Sequence, residues 1–365
     1  GDLYVALREV SGGGGIVALR DTDGDGVADV QERFGEVGGT GLALRNGYLY
    51  FAPDTAVWRY PLADGELAPS AEPETVVGGF PEQPQHAAKP FTFDEDGYLY
   101  VNVGGPSNAC QEQLRTPETP GIDPCPQLEL HGGIWRFYAD STGQMQTPEA
   151  RYATGIRNAV ALDWNSAAQN LYVAQHGRDQ LKSLWGDLYT QEQSAELPAE
   201  EFLLVEEGSD SGWPYCYYDP SQEKKVLAPE YGGDGQEVGR CEDKNMPIVA
   251  MPAHWAPNDL LFYTGDQFPE RYQNGAFIAS HGSWNRAPLP QRGYRIVFVP
   301  MDETGRPTGD YETFADGFAR TEVIESPGDA QYRPTGFAQG PDGSLYISDD
   351  VKGRIWRVVY VGDES

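Results

Sequence analysis

Three kinds of side chain in this sequence could do chemistry, and each recurs beside short apolar runs. The first is histidine. His86 stands just ahead of such a run in "PQHAAKPFTFDEDGYLYV", His176 follows one in "LYVAQHGRDQ", and His254 lies in "MPAHWAPNDLLF". His281 opens "HGSWNRAPLPQRG", and His131 sits in "LELHGGIWRF". A single histidine beside a strand is most often a packed one; the signal is their gathering at run ends next to Gly, Pro and Trp. Imidazole changes charge near neutral pH, so a positioned neutral histidine can take a proton from a hydroxyl. The second is arginine. Arg157-Asn158 in "TGIRNAVALDW" and Arg333 in "AQYRPTGFAQGPDG" both precede an apolar run. Guanidinium forks grip carboxylates bidentately, which points to an anionic ligand. The third is a spaced set of acids, "DTDGDGVADVQE". Asp21, Asp23 and Asp25 take the first, third and fifth places of a calcium loop, and Gly26 allows its sharp turn. Val27 offers a carbonyl, Asp29 sits at the ninth place and Glu32 at the twelfth. Hard oxygen donors at that spacing suit Ca²⁺, here in a structural role because no histidine or nucleophile lies nearby in sequence. No nucleophile elbow, zinc-protease or nucleotide-binding motif is present, and the run Gly12–Gly15 lacks the following helix that a phosphate loop needs.

What must position these residues is a repeat. A turn pair followed by a Leu-Tyr-Val type strand occurs at Leu3, Leu49, Leu99, Leu171 and Leu345, with a looser copy at Ala276. A second strand often follows and ends near Trp-Arg, as at Val57, Ile134 and Ile355; an apolar strand such as "GLALR" or "VALDW" often precedes. Strand, Asx-Gly turn, strand, polar loop, strand is the grammar of a propeller blade. Six copies predict an all-β, six-bladed β-propeller forming one domain over residues 1–365. Long insertions in the middle blades are expected over about 106–130 and 206–252. The first copy lacks a leading strand, which either the C-terminal end supplies or the chain start omits. The stretch 276–301 is read as strands Ala276–Ala279 and Tyr294–Pro300 joined by a loop too rich in polar and aromatic groups for a plain hairpin.

Composition bounds the function. A net charge of −30 argues against a nucleic-acid phosphate backbone as partner. No apolar run is long enough to span a membrane. The four cysteines fall into two local pairs, Cys110 with Cys125 and Cys216 with Cys241, and the spacing favours disulfides over zinc. Disulfides place the chain in the periplasm or outside the cell, as a processed or trimmed protein without signal peptide.

Taken together, "TGIRNAVALDW", "GSDSGWPYCYYDP", "FYTGDQFPERYQNGAFIASHGSWNR", "GYRIVFV" and "YRPTGFAQGPDGSLYISDD" resemble the soluble pyrroloquinoline-quinone (PQQ) sugar dehydrogenases. The closer match is their sorbosone or pyranose dehydrogenase branch, and the similarity covers nearly the whole chain. The resemblance implies roles by position. His86 would be the general base; Arg157, Asn158 and Arg333 would bind the quinone cofactor. The main-chain carbonyls of Gly177 and Arg178 would hold a Ca²⁺ beside it, and His254 would approach it. Two departures stand out: Asp266 and Gln267 occupy the turn where glucose-type relatives place a lysine, and Gln331 replaces a second arginine. Gln267 is therefore read as a cofactor contact in the lysine's place, with His281, Asn285 and Arg286 compensating from the next loop and Trp284 at the channel mouth. The expected reaction is oxidation of a sugar or related aldehyde hydrate, with electrons leaving to a cytochrome or quinone acceptor. Two other readings suit the same architecture: a calcium-dependent lactonase-like hydrolase, and a non-catalytic carbohydrate-binding propeller.

Overall fold

The repeat strands at Leu49, Leu99, Leu171 and Ala276 are buried on both faces, and that property organises the molecule. Side chains alternate along a strand, so Leu and Tyr of each repeat point to opposite neighbours. Tyr50 packs with Leu99 and Val101 of the next repeat, and Tyr100 packs with Leu171 and Val173 of the one after. Tyr172 and Ala174 meet Phe262 and Ile278, and Phe277 and Ala279 meet Leu345 and Ile347. The core is thus a series of seams between sheets rather than one central mass. Tyrosine hydroxyls lock the seams: Tyr50 donates to the Ala139 carbonyl (3.0 Å) and Tyr172 to the Gly305 carbonyl (2.8 Å), each one blade further on.

The structure, a computed structural model, describes residues 1–362. It is a six-bladed β-propeller of antiparallel sheets. Blade I has three strands, Asp2–Ser11, Gly14–Arg20 and Val30–Phe34. Blade II runs Gly41–Arg45, Tyr48–Ala52, Val57–Pro61 and Glu74–Gly78, and Gln144–Met145 adds in parallel at its outer edge. Blade III is Phe91–Phe93, Tyr98–Val103, Gly133–Tyr138 and Arg151–Thr154. Blade IV is Ala161–Asn165, Asn170–Gln175, Glu200–Val205 and Val249–Met251; blade V is Pro257–Phe262, Ala276–Ser280, Arg295–Val299 and Glu312–Ala315. Blade VI has Pro334–Gln339, Leu345–Asp349 and Ile355–Val358. The expected strands flanking the 281 loop are therefore present. The C-terminal end does not complete blade I: among the described residues, Ile355–Val358 pairs only with Leu345–Asp349, and Asp2–Ser11 only with Gly14–Arg20. The two ends of the ring are still neighbours, because Arg357 of blade VI feels the charge of Asp21 in blade I.

In each blade the first strand begins, and the second ends, on the same face of the ring. Phe91 opposes Val101, Ala161 opposes Ala174, Pro257 opposes Ser280 and Pro334 opposes Asp349. This upper face carries the long loops. Both expected disulfides are formed there, Cys110–Cys125 and Cys216–Cys241, and the loops they close pack on each other. The Tyr215 hydroxyl accepts from the Cys125 amide at 2.8 Å, and Gly121 N donates to the Glu230 carbonyl at 2.8 Å.

Inner strands are tied by buried acids. Asp163 accepts from the Phe262 amide of the next blade (2.9 Å), and Asp259 accepts from the Phe337 amide of the next (2.6 Å). Burial pushes their carboxyls up to about 6 and about 7. A folded pKa above the unfolded one means that the native state holds the proton more tightly. The associated stability is complete below about pH 4 and is lost as pH rises through the folded value. Asp259→Asn, which cannot ionise, should therefore gain in melting temperature relative to wild type as pH rises from 4 to about 7, with the gap constant above; a gap that shrinks over that range contradicts this. Tyr172→Phe should cost about 1 kcal/mol in urea denaturation, the net value of one buried hydrogen bond.

Candidate functional site

Loops from three blades meet on the upper face in one buried polar cluster, and its centre is Asp179, four residues beyond the Asn170–Gln175 strand. Asp179 Oδ2 accepts from Arg157 Nη2 (3.0 Å) and Arg115 Nη2 (3.2 Å), and Oδ1 accepts from Asn285 Nδ2 (2.7 Å). Burial opposes its charge, yet Arg157, His254 and Arg115 outweigh burial and hold its carboxyl at about 2. Arg157 is buried and its fork is fully used: Nη1 donates to the Gly177 carbonyl (2.8 Å) and Nη2 also to Asn108 Oδ1 (3.1 Å). Its backbone is stitched on both sides, by Gly105 N to its carbonyl (2.7 Å) and by its own amide to Gln175 Oε1 (2.9 Å).

His86 stands against this cluster. Its backbone has a left-handed φ of 53°, and Gln83 Nε2 ties down its carbonyl at 2.9 Å. The ring Nδ1 lies 2.6 Å from the Gly105 carbonyl, so Nδ1 carries the proton and Nε2 keeps its lone pair. Gly104 permits this approach: a Cβ there would lie 2.6 Å from His86 Cβ and 2.9 Å from Asn158 Oδ1. Burial, with help from the Arg157 charge, pushes the His86 imidazole down to about 3, so it is neutral. His176 is neutral as well, pushed down to about 4 mainly by burial. Its Nε2 donates to the Pro257 carbonyl (2.8 Å), which leaves Nδ1 to accept from Asn158 Nδ2 (3.4 Å). Asn158 Oδ1 is buried with no hydrogen-bond partner among the described residues.

On the far side, the His281 Nε2 lies 3.0 Å from both carboxylate oxygens of Asp350. Arg333 donates through Nε to the His281 carbonyl (3.2 Å) and through Nη2 to the Gly282 carbonyl, and makes no ion pair among the described residues. His254 is buried, with Nε2 donating to the Ser194 carbonyl at 2.9 Å, and Asp179 acts on its charge.

Some expected contacts lie elsewhere. Gln267 belongs to the turn between the first and second strands of blade V, on the lower face, where Nε2 donates to the Asp342 carbonyl (3.1 Å) and Oε1 accepts from Tyr360 N (3.0 Å). A strand of six residues, roughly 20 Å, separates it from His281's face, so it is no cofactor contact. Arg286 is buried but turned away, its fork spent on the Ala195 and Pro290 carbonyls and on Glu196. Arg178's side chain is likewise paired, with Glu230; Trp284 is exposed on the 281 loop. Of the calcium loop, Asp21, Asp23 and Asp29 bring carboxylate oxygens within 4.8 Å of one another, while Asp25 caps the Val27 amide (2.7 Å). Glu32 does not join them: the chain leaves this loop as a strand, not a helix, and Glu32 sits opposite Ala18 in it.

Sequence reasoning missed four residues that hold the site together. Asp179 and Arg115 are in loops without periodicity. Glu200 opens a buried strand and bridges the Gly177 amide (2.8 Å) to the Ala256 amide (3.2 Å); burial pushes it up to about 7. Asp350 ends "YISDD". The only sequence signal was the doubled acid "AEEFLLV" at the head of an apolar run.

The sequence model of one protein family, described as TrAA12-like, matches residues 2–361. The chain belongs to that family. The TrAA12-like chain is 26% identical over 236 residues to a PQQ-dependent pyranose dehydrogenase of Coprinopsis cinerea, covering 55% of this chain and 30% of that protein. It is 32% identical over 211 residues to an uncharacterised protein of Borreliella burgdorferi, covering 57% of this chain and 48% of that one. The chain thus spans about a third to a half of the length of these curated relatives. In fold it is similar to an iodide structure of the Trichoderma reesei carbohydrate-active enzyme of family AA12, with TM-score 0.72 and 18% identity over 97% of this chain and 95% of that one. The holo PQQ domain of the Coprinopsis cinerea pyranose dehydrogenase superposes with TM-score 0.71 at 18% identity, covering 95% and 88%.

The cluster's integrity should depend on Asp179. Asp179→Asn leaves the buried Arg157 guanidinium and the part-exposed Arg115 on one neutral amide, and should lower unfolding stability by about 3–5 kcal/mol in urea titration, the cost of breaking the buried Arg157 pair.

Proposed function

We propose that this protein is a PQQ-dependent oxidoreductase that oxidises a sugar at a hemiacetal carbon or a related aldehyde hydrate. The observation that carries this is an excess of positive charge gathered beside a neutral histidine. Arg115 and Arg157 share the single Asp179, and among the described residues Arg333 hydrogen-bonds only to carbonyls and lies over the Tyr294 ring (5.5 Å), while Arg178 and Arg286 each have a carboxylate of their own. An anionic, hydrogen-bonding heterocycle fits that imbalance, and the unpartnered buried Asn158 Oδ1 is an acceptor awaiting a donor. Bound PQQ supplies an electrophilic quinone that accepts two electrons from substrate.

The chain's own residues then have definite tasks. His86 Nε2, free because Gly105 holds Nδ1, takes the substrate hydroxyl proton. Its pKa of about 3 makes it neutral but a weak base; an anion lodged beside Arg157 would offset that cation and strengthen it. Arg157 and Asn158 orient the cofactor, and Arg333 contributes its charge from the blade VI side. His254 and His281 border the same space. The Gly177 carbonyl keeps one lone pair beyond its bond to Arg157, so together with the Arg178 carbonyl it can ligate Ca²⁺. A second, structural Ca²⁺ is assigned to Asp21, Asp23 and Asp29. Two disulfides support a periplasmic or secreted protein; among the described residues no helix is long and apolar enough to cross a membrane. Electrons leave to a cytochrome or quinone acceptor.

The test is reconstitution with PQQ and Ca²⁺, followed by the quinone absorption and by dye reduction across a panel of aldoses. Uptake with dye reduction supports the reading; neither on any sugar would sink it. His86→Ala should keep quinone uptake and lower kcat by about 10²–10⁴-fold, the range for loss of a general base. Wild-type kcat should show no acid limb from free imidazole at pH 6–7, because the depressed His86 pKa keeps the base form populated there. Chelation of the Asp21 loop should lower the melting temperature, and Asp21→Asn should abolish that response.

A further inference from the structure

We infer that the substrate carries a carboxylate of its own: the site takes an acidic sugar, a uronate, with Arg115 receiving the carboxylate. This rests on the dehydrogenase reading and adds the class of sugar to it.

Arg115 differs from the other arginines of the cluster. Its side chain is 29% exposed, against 4% for Arg157, so of the two that share Asp179 it is the one a diffusing molecule can reach. Arg157 spends its fork on Asp179, Asn108 and Gly177. Arg115 meets Asp179, Gln85 Oε1 (3.2 Å) and Gln180 Oε1, and two of these three acceptors are uncharged amides. One carboxylate therefore answers two guanidiniums, and the uncompensated charge lies on the accessible member. Gln85 precedes His86 in the chain, which places this cation beside the proposed base. A pyranose with its reacting carbon at His86 Nε2 spans only a few ångströms to its C6 substituent, the position a uronate carboxylate occupies.

The cation is also held in place in advance. Cys110–Cys125 closes the loop that carries it, Gln111 Oε1 accepts from the Arg115 amide (3.0 Å), and Gln111 Nε2 donates to the Thr116 and Thr119 carbonyls (3.2 Å each). A pre-ordered fork loses little freedom on binding. Across Asp179, Asn285 donates its amide to that carboxylate and keeps a buried Oδ1 with no hydrogen-bond partner among the described residues, which suits a sugar hydroxyl as donor. A carboxylate acceptor for Arg115 and a hydroxyl donor for Asn285 together describe a polyhydroxylated acid.

The chemistry balances without touching that carboxylate. The C1 hydroxyl proton passes to His86, the C1–H bond breaks, and its hydrogen leaves with two electrons to the quinone cofactor. The product is the lactone of the corresponding dicarboxylic acid.

The experiment compares glucuronate and galacturonate with glucose and galactose, using protein reconstituted with PQQ and Ca²⁺. It reads kcat/KM by dye reduction and sugar affinity by calorimetric titration. The expected result is a uronate preference, carried in KM, that falls about ten- to a hundred-fold in Arg115→Gln, the value of a charge-assisted hydrogen bond. Arg115→Lys, which keeps the charge without the fork, should retain an intermediate preference, and the melting temperature of each variant checks its fold. Equal or better turnover of the neutral hexoses, or a preference unmoved by Arg115→Gln, overturns the inference while the dehydrogenase reading stands. Loss of quinone uptake in Arg115→Gln also overturns it, because the cation then serves the cofactor. Absence of quinone uptake by the wild type removes both.

Discussion

One buried carboxylate, Asp179, joins parts of the chain that share no sheet. Arg115 comes from the disulfide-closed insertion of blade III, Arg157 from the connection into blade IV, and Asn285 from the blade V loop. The Arg115 loop is closed by its own disulfide and by an antiparallel bridge between Gln111 and Gly121, and the ion cluster ties it to the other two loops. A buried charge is tolerated only when its partners are in place. The cluster consequently forms as a unit, and the loops take their positions when it does. Glu200 extends the unit by bridging the amides of Gly177 and Ala256. The catalytic candidate, His86, is not itself an ion-pair member; it is placed by a carbonyl, a left-handed backbone and the missing side chain of Gly104.

Such a cluster needs a platform that does not move, and the seams between blades supply it. Each second strand is buried on both sides, so no blade can shift without opening two apolar interfaces. The tyrosine hydroxyls and the Asp163 and Asp259 carboxylates add polar ties across the same seams. The ring also separates tasks by face. Short Asx-Gly turns occupy the lower face, and nearly all the inserted length lies above, where departures from regular structure cost the sheets nothing.

The parts of this arrangement legible in the sequence were the ones set by local rules. The Leu-Tyr-Val repeat was readable because double burial demands an apolar residue at every position of a short strand. The cysteine pairs were readable because each encloses a short loop. His86, Arg157, Asn158 and Arg333 were readable as candidates because strand ends of one register must share a face. What failed was any judgement that depended on a distant partner. Arg286 and Arg115 are both arginines in irregular loops, yet one is spent on the Ala195 carbonyl and Glu196, while the other turns inward to Asp179. Nothing within either loop distinguishes them. Gln267 is a different case: its place in a first-to-second-strand turn already put it on the lower face, and analogy with a lysine in related proteins obscured that. Glu32 failed for a physical reason of the same kind, since the twelfth position closes on the ion only when a helix follows the loop, and here a strand does.

The charge distribution carries the last step. A chain with a net charge of −30 builds its most buried site around cations. At physiological ionic strength the field of the acidic surface decays over about 8 Å, so it affects the approach of an anion more than its final position. At the buried Arg157 and the largely buried Asp179 the charges act at short range with less screening than at the surface. The acidic exterior therefore does not contradict an anionic ligand. It makes local compensation the deciding quantity, and the arrangement of two arginines on one aspartate, with a third held by two carbonyls and the Tyr294 ring but no carboxylate among the described residues, leaves that compensation incomplete until something negative is bound.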